Sequence, residues 1–234
     1  MGQCATFVKI KVQTRPVGVF ALQILCLAQD NYSMGQIAIR SASKSDLASL
    51  YYVAIKTGNS GTDATGMFRN DDMIGEVYVG PYVTLAPETS FALVEDDIPV
   101  GYGLCVFNTD SFQRAAHESW WPQLQEKYSA LIAYAESEWL IHEIFNPTPS
   151  PRSILEDYPS HGHIDLLPHV QGQGWGRRMM ETMEACLREL GSPGFHLRVS
   201  TLNERGLDFY AALGYHEIMR RDGEVVVGKR FNHE

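Results

Sequence analysis

The sequence lacks the features that mark several common classes of protein. Its cysteines, Cys4, Cys26, Cys105 and Cys186, lie far apart with no CxxC pair, so neither a disulfide framework nor a zinc site is predicted. The 19 Lys and Arg residues are outnumbered by 28 Asp and Glu residues, giving a net charge of −9. A nucleic-acid partner, which needs a basic face, is therefore not expected. Scattered thiols are typical of a reducing compartment, and we expect a cytoplasmic protein.

Long hydrophobic runs are also missing. Residues 17–28 form an apolar run after Lys9, Lys11 and Arg15, but the run is too short for a membrane span, and no membrane partner is expected. The segment resembles a signal peptide in outline, although no small-x-small cleavage site follows it. The alternative is that the protein proper starts at Met34, because a coherent domain begins there. We favour this alternative and divide the chain into an N-terminal extension, residues 1–33, and one domain, residues 34–234.

Strand-like and helix-like patterns alternate along residues 34–234. Runs of β-branched and aromatic residues predict strands at 37–40, 90–95, 99–107, 163–167, 195–199, 215–219 and 224–229. Apolar residues at helical spacing predict helices from about residue 46, at 112–128 with a break at Pro122, at 177–190 and at 203–213. Gly- or Pro-rich segments predict loops at 56–72 and 146–159, whereas residues 74–82 are either helical or irregular. This order predicts a mixed α/β domain.

A glycine-rich turn carries the most chemical information. Residues 171–176 read QGQGWG and separate a predicted strand from a predicted helix. Glycines let a backbone approach a ligand closely, and the amides and dipole of a helix N-terminus favour an anion. The spacing differs from the GxGxxG of dinucleotide-binding folds, and the Gly-Lys-Ser/Thr of phosphate loops is absent. An anion site and a plain tight turn both remain open at this point.

Two blocks together resemble a known family. The spacing Gln171-x-x-Gly174-x-Gly176 after a strand, followed by Asn203 and the Phe-Tyr and Leu-Gly-Tyr groups of residues 209–215, is similar to the acyl-CoA site of the GNAT acetyltransferases. A narrower resemblance involves residues 80–85, 121–122 and 158–168, which look like the acetyltransferase-like C-terminal domain of the O-GlcNAcases and their bacterial relatives.

The resemblance implies both a fold and an activity. The fold would be the GNAT fold, a central, mostly antiparallel sheet with splayed central strands, flanked by helices. The activity would be N-acetyl transfer from acetyl-CoA, as co-substrate, directly to an amine that the sequence does not identify. The alternative is a non-catalytic module that binds acetyl-CoA or CoA as a sensor or interaction domain. Many members dimerise, so a homodimer is a further expectation by analogy.

The resemblance also implies a set of cofactor contacts. Backbone groups of Leu166 and Leu167 would pair with the pantetheine arm, and amides near the turn would hold the pyrophosphate. Asn203 would contact the amide arm, although a helix cap explains this residue as well. The expected cofactor residues are Leu166, Leu167, Gln171, Gly172, Gly174, Gly176, Arg177 and Asn203.

Three residues are candidates for the chemistry. Tyr210 lies at the family's position for the general acid near sulfur, and its alternative is a core aromatic. His161 and His163 alternate with Asp165 along one strand, and a histidine with a pKa near neutral suits deprotonation of an ammonium ion. For either histidine taken alone, a structural role is the favoured alternative. The His-x-His pair has no evident third ligand, so no metal is expected.

Overall fold

The computed structural model describes residues 35–231, so the predictions for residues 1–33, including Cys4 and Cys26, lie outside the described residues. Within that range, seven strands form one sheet. The strands are β1 Ile37–Ser41, β2 Ser90–Glu95, β3 Ile98–Val106, β4 Ser160–Leu166, β5 Gly194–Ser200, β6 His216–Arg221 and β7 Glu224–Arg230. All seven strands predicted from the sequence are present, with small differences at their ends.

The helices connect and cover these strands. They are α1 Leu47–Thr57, α2 Asp72–Tyr78, α3 Gly80–Leu85, α4 Thr109–Ser119, α5 Trp121–Lys127, α6 Trp139–Phe145, α7 Arg152–Leu155, α8 Trp175–Glu189 and α9 Glu204–Ala212. The predicted break near Pro122 separates α4 from α5. Two predictions were wrong in detail: residues 146–159 contain the single turn of α7, and α8 begins two residues before residue 177. No helix among residues 35–231 is long and apolar enough to cross a membrane.

The order of strands across the sheet is β1-β2-β3-β4-β5-β7-β6. Every neighbouring pair is antiparallel except β4 and β5, which are parallel and pair only at Ser160–Phe195 and His161–His196. Beyond these two pairs, β4 remains paired with β3 and β5 remains paired with β7, so the two central strands diverge. The predicted mostly antiparallel sheet with splayed central strands is confirmed.

Helices pack on both faces of the sheet. On one face α8 lies close to β3, because Gly103 has no side chain there; a Cβ at this position would lie 2.5 Å from Cγ of Met179. On the opposite face Tyr102 and Leu104 join the core formed with α1, α2, α3 and α6. Asp165 and His163 pair directly with these two residues of β3. The side chains of His163 and Asp165 therefore project toward the face covered by α1–α3.

Candidate acyl-CoA and acceptor cleft

A large cleft opens where β4 and β5 diverge. Its volume is about 1790 Å³, and both strands, the glycine-rich turn and the start of α9 line it. Each strand keeps its backbone pairing with its outer neighbour, so the gap between them leaves strand edges without a protein partner. The fold thus brings the two sequence blocks, residues 171–176 and 203–215, to one cavity.

The glycine-rich turn presents a run of unpaired amides at one end of the cleft. The backbone N–H of Gln171 donates to Pro168 O at 3.2 Å, and that of Arg178 donates to Gly174 O at 3.1 Å. Between them, the backbone N–H groups of residues 172–177 donate to no acceptor among residues 35–231. Consecutive unpaired amides at a helix N-terminus form an anion-binding cradle.

The turn needs its glycines for conformation and for space. Gly172 and Gly174 adopt φ angles of 72° and 85°, in the region that L-residues with a Cβ rarely occupy. No atom lies within 4 Å of the position that a Cβ would take at either glycine, so a ligand can reach the backbone there. Gly176 serves packing instead, because a Cβ would lie 3.2 Å from the ring of Phe209.

Gln171 ties the turn to the end of β4. Its Nε2 donates to the carbonyl oxygen of Leu166 at 2.6 Å. The side chain is therefore committed to positioning the turn, and its contribution to an anion site is indirect. The sequence pattern marked this residue without indicating which atoms it contacts.

The structure separates the two leucines expected to face a pantetheine arm. Leu167 donates its N–H to Val100 O at 2.9 Å and accepts from Val170 N at 3.1 Å, so both backbone groups are already paired. Because alternate residues of a strand bond to opposite neighbours, the backbone N–H of Leu166 points away from β3 and into the gap. The N–H of Leu166 is therefore available to a ligand in the cleft, whereas its carbonyl oxygen accepts from Gln171 and both backbone groups of Leu167 are paired.

Asn203 and Arg177 both line the cleft. Asn203 Oδ1 accepts from Gly206 N at 2.9 Å and caps α9, so the cap explanation holds for that oxygen. The amide nitrogen of Asn203 has no recorded acceptor among the described residues. Arg177 is exposed, and its guanidinium is only 3.4 Å from Ala212 O, a weak contact that leaves its charge available.

The two histidines of β4 are enclosed by aromatic rings. His161 shares a hydrogen bond of 2.8 Å between Nδ1 and Thr109 Oγ1, and Tyr82 and Phe112 contact its ring edge-on. Tyr82 also lies 5.3 Å from the ring of His163. Burial holds the pKa of His161 well below its usual value, and burial aided by the Arg198 charge lowers that of His163 to about 4. Both rings are neutral at pH 7. Their low pKa values make them weak bases for an ammonium ion.

Asp165 is the stronger candidate base, and the sequence reasoning left it without a role. Burial raises the pKa of Asp165 to about 6, against the opposing effect of hydrogen bonds from Tyr102 and Thr57. Tyr102 OH donates to Asp165 Oδ2 at 2.6 Å, so the carboxylate is held in place. A carboxylate with this pKa is ionised at pH 7 and is more basic than an ordinary aspartate. Its alternation with His161 and His163 was the available sequence signal.

Tyr210 lies in the same part of the cleft. Its side chain is 8% exposed, it packs edge-on against Tyr215, and its hydroxyl has no hydrogen-bond partner among residues 35–231. Burial, together with the charge of Asp165, raises the pKa of Tyr210. The phenol therefore stays protonated at neutral pH and can serve as a proton donor. Both interpretations of Tyr210, core aromatic and acid, are compatible with this position.

Among the described residues, no group of three or more His, Cys, Asp or Glu side chains is arranged to hold a metal ion. Three histidines, His161, His163 and His196, line the cleft. The rings of His161 and His196 pack against each other with their centroids 5.7 Å apart.

Residues 63–215, more than half of the chain, match the acetyltransferase (GNAT) family, and the chain belongs to that family.

Individual relatives narrow the comparison. The chain is 29% identical over 192 residues to the protein O-GlcNAcases of Rattus norvegicus and Mus musculus. The match covers 79% of this chain but spans only about a fifth, 20%, of the length of each relative. The solved structure of SsHAT aligns with a TM-score of 0.71 at 28% identity, covering 83% of this chain and 98% of that one.

A more distant structure shares the fold. The PaiA N-acetyltransferase of Thermoplasma acidophilum, solved in complex with coenzyme A, aligns with a TM-score of 0.54 at 13% identity over 84% of this chain and 99% of that one.

Proposed function

We propose that residues 34–234 form an N-acetyltransferase domain that moves an acetyl group from acetyl-CoA directly to a primary amine. The observation that carries the proposal is the placement of an anion cradle and an acid–base pair in one cleft. Residues 172–177 supply unpaired amides, and Asp165 and Tyr210 line the same cleft. That combination suits a co-substrate that has a pyrophosphate at one end of its arm and a reactive thioester at the other.

The cofactor contacts follow from which backbone groups are unpaired. The amides of Gly172, Gly174, Gly176 and Arg177 would bind the pyrophosphate, and the Arg177 side chain would add charge at a phosphate. The pantetheine arm would run between β4 and β5 and pair with Leu166 as if it were a missing strand. The coenzyme A complex of the PaiA protein supports a CoA site in this fold, without locating one here.

Acetyl transfer needs a base for the amine and an acid for the sulfur. In our proposal the ammonium gives its proton to Asp165, and the neutral amine attacks the thioester carbon. The C–S bond then breaks, the departing thiolate takes a proton from the Tyr210 hydroxyl, and the second proton that leaves the nitrogen as the amide forms restores that hydroxyl. Asp165 replaces His161 and His163 as the base because burial keeps both imidazoles neutral and weakly basic. The histidines then form part of the acceptor wall.

The second candidate is a module that binds acetyl-CoA or CoA without turnover. The low basicity of the two histidines favours this alternative, since it removes the base that the sequence suggested. Both candidates depend on the amide cradle, whereas only the transferase depends on Asp165 and Tyr210.

Two measurements test the proposal. Calorimetry of the full chain with acetyl-CoA should show saturable binding, and the absence of heat at tens of micromolar protein would remove both candidates. Free-thiol release should then be followed with acetyl-CoA and a panel of primary amines. Release that depends on the amine supports the transferase, and saturable binding without release for every amine supports the module.

A further inference from the structure

The acceptor side of the cleft has a floor made by two rows of polar side chains. On β4 the row is His161, His163 and Asp165, as described above. On β5, Leu197 packs into the core beneath α8, so by alternation His196, Arg198 and Ser200 face the other way, toward the β4 row. The pairing of His161 with His196 sets the register. Arg198 therefore lies across the gap from His163, and Ser200 lies across from Asp165.

Arg198 is held rigidly but is only partly satisfied. Its Nε donates to Glu224 Oε2 on the neighbouring strand β7. Its two terminal amino groups donate to no acceptor among residues 35–231, and the side chain lines the cleft with 38% exposure. A planar guanidinium fixed through Nε presents its remaining donors in a fork that matches a carboxylate. The two free amino groups of Arg198 can therefore bind an anionic group of a ligand.

Against the opposing effect of burial, two carboxylates that lie near Arg198 raise its pKa. Glu224 is paired with its Nε, whereas Glu143 accepts from both the backbone N–H and the hydroxyl of Thr148 at 3.1 Å and takes no hydrogen bond from Arg198. The floor histidines are neutral. This leaves Arg198 as a cation with free donors and Asp165 as a carboxylate whose hydrogen bonds come from the neutral hydroxyl groups of Tyr102 and Thr57. The floor thus presents a ligand with one positively charged group, Arg198, and one negatively charged group, Asp165.

We infer that the acceptor is a small amine that also carries a carboxylate, with its ammonium at Asp165 and its carboxylate bound by the fork of Arg198. This inference rests on the proposed transferase function. Arg198 lies across the gap from position 163, which is roughly 6.6 Å from position 165 along β4, so the carbon chain of the amine has to span this offset as well as part of the gap. The ring edges of Tyr78 and Tyr82, which contact His163, give the carbon chain an apolar wall.

Matched pairs of amines test this inference. Initial rates of CoA release would be measured with glycine, β-alanine and 4-aminobutyrate, and with the carboxamide of each. The carboxylate should be preferred over its amide by about 30-fold in kcat/KM for at least one chain length, as expected for hydrogen bonds to a charged group. In Arg198→Gln this ratio should fall to about 1, mainly because the acid loses rate while the amide keeps it.

Two further variants keep the test decisive. Arg114→Gln removes an exposed cation of α4 that lines the same cleft, and it should leave the ratio unchanged. Arg198→Lys keeps the charge but not the planar fork, so the ratio should drop at least about threefold; this variant decides the matter if Arg198→Gln does not fold.

Each outcome separates the inference from the function on which it rests. Equal rates for acid and amide, or a preference that survives both Arg198 variants, would overturn the inference and leave the transferase standing. No CoA release with any acid or amide would count against both, and saturable acetyl-CoA binding in the same preparation would then identify the non-catalytic module.

Discussion

Replacing Asp165 by asparagine should stabilise the protein at pH 7 while removing its proposed base. Burial raises the pKa of Asp165 from 3.8 to about 6. A difference of about two pKa units corresponds to about 3 kcal/mol by which the ionised carboxylate destabilises the folded state at pH 7. Solvent reaches this half-buried side chain and reduces the effect, so we expect a gain of about 1–2 kcal/mol.

The sign of the pH dependence follows from the raised pKa. Below pH 3.8 the carboxyl is protonated in both the folded and the unfolded states. Its ionisation then contributes little to the difference in the free energy of unfolding between wild type and Asp165→Asn. Between pH 3.8 and about 6 the carboxyl ionises in the unfolded state while it stays mostly protonated in the folded state, so the wild type loses stability that the variant keeps. The advantage of the variant should therefore grow between these two values and level off at higher pH. The asparagine oxygen can still accept from Tyr102, so the hydrogen bond survives the substitution.

Denaturant unfolding at pH 4, 5, 6 and 7 measures this difference, and the melting temperature at pH 7 should rise by roughly 2–8 °C. Asp208→Asn is the matched control, because Asp208 is exposed on α9 and should change stability little at any pH. Loss of stability in Asp165→Asn at pH 7, or a difference that is constant from pH 4 to pH 7, would refute the assignment of a buried, destabilising carboxylate.

Three more predictions concern binding and catalysis. The acidic limb of kcat/KM should lie near the pKa of Asp165, about 6, rather than near that of His163, about 4; a His163→Gln variant that shifts or removes the limb would contradict this. Tyr210→Phe should lower kcat by about 100-fold with an unchanged calorimetric Kd for acetyl-CoA, because it removes only the proton donor; a kcat within twofold of wild type would leave Tyr210 as a core aromatic. Gly174→Ala should weaken acetyl-CoA binding about tenfold, the effect of one lost hydrogen bond to a charged group, whereas Gly191→Ala, at a φ of 84° at the other end of α8, should strain the backbone equally and leave binding unchanged.

Local sequence was a good guide to the secondary-structure elements and to the glycine-rich turn that lines the cleft. The turn at residues 171–176 was recognisable because its glycines, the preceding strand and the following helix are contiguous. Short-range rules therefore apply to it: glycine permits positive φ, and the first turn of a helix leaves its amides unpaired. Even here the helix start was placed two residues late, since the amides that begin α8 depend on Gly174 adopting a left-handed conformation.

Long-range register decided several details that the sequence left open. Leu166 and Leu167 are neighbours in the chain, yet only Leu166 faces the gap, because Leu167 is paired with Val100 of β3. The short helix α7 was hidden by the prolines around it. Neither outcome could be predicted from the residues themselves, because each depends on contacts with segments far away in sequence.

The sequence by itself therefore determined the mixed α/β class, the glycine-rich cradle and the resemblance to the acyl-CoA site, all of which depend on residue type and short-range spacing. Only the tertiary structure pointed to Asp165, and not to a histidine, as the candidate base. Burial beside aromatic rings keeps His163 neutral and makes Asp165 more basic, and these pKa shifts depend on the neighbours that the fold supplies. The same holds for Arg198, whose open donors are aimed by Glu224 of a different strand, since strand pairing brings together residues that no local pattern connects.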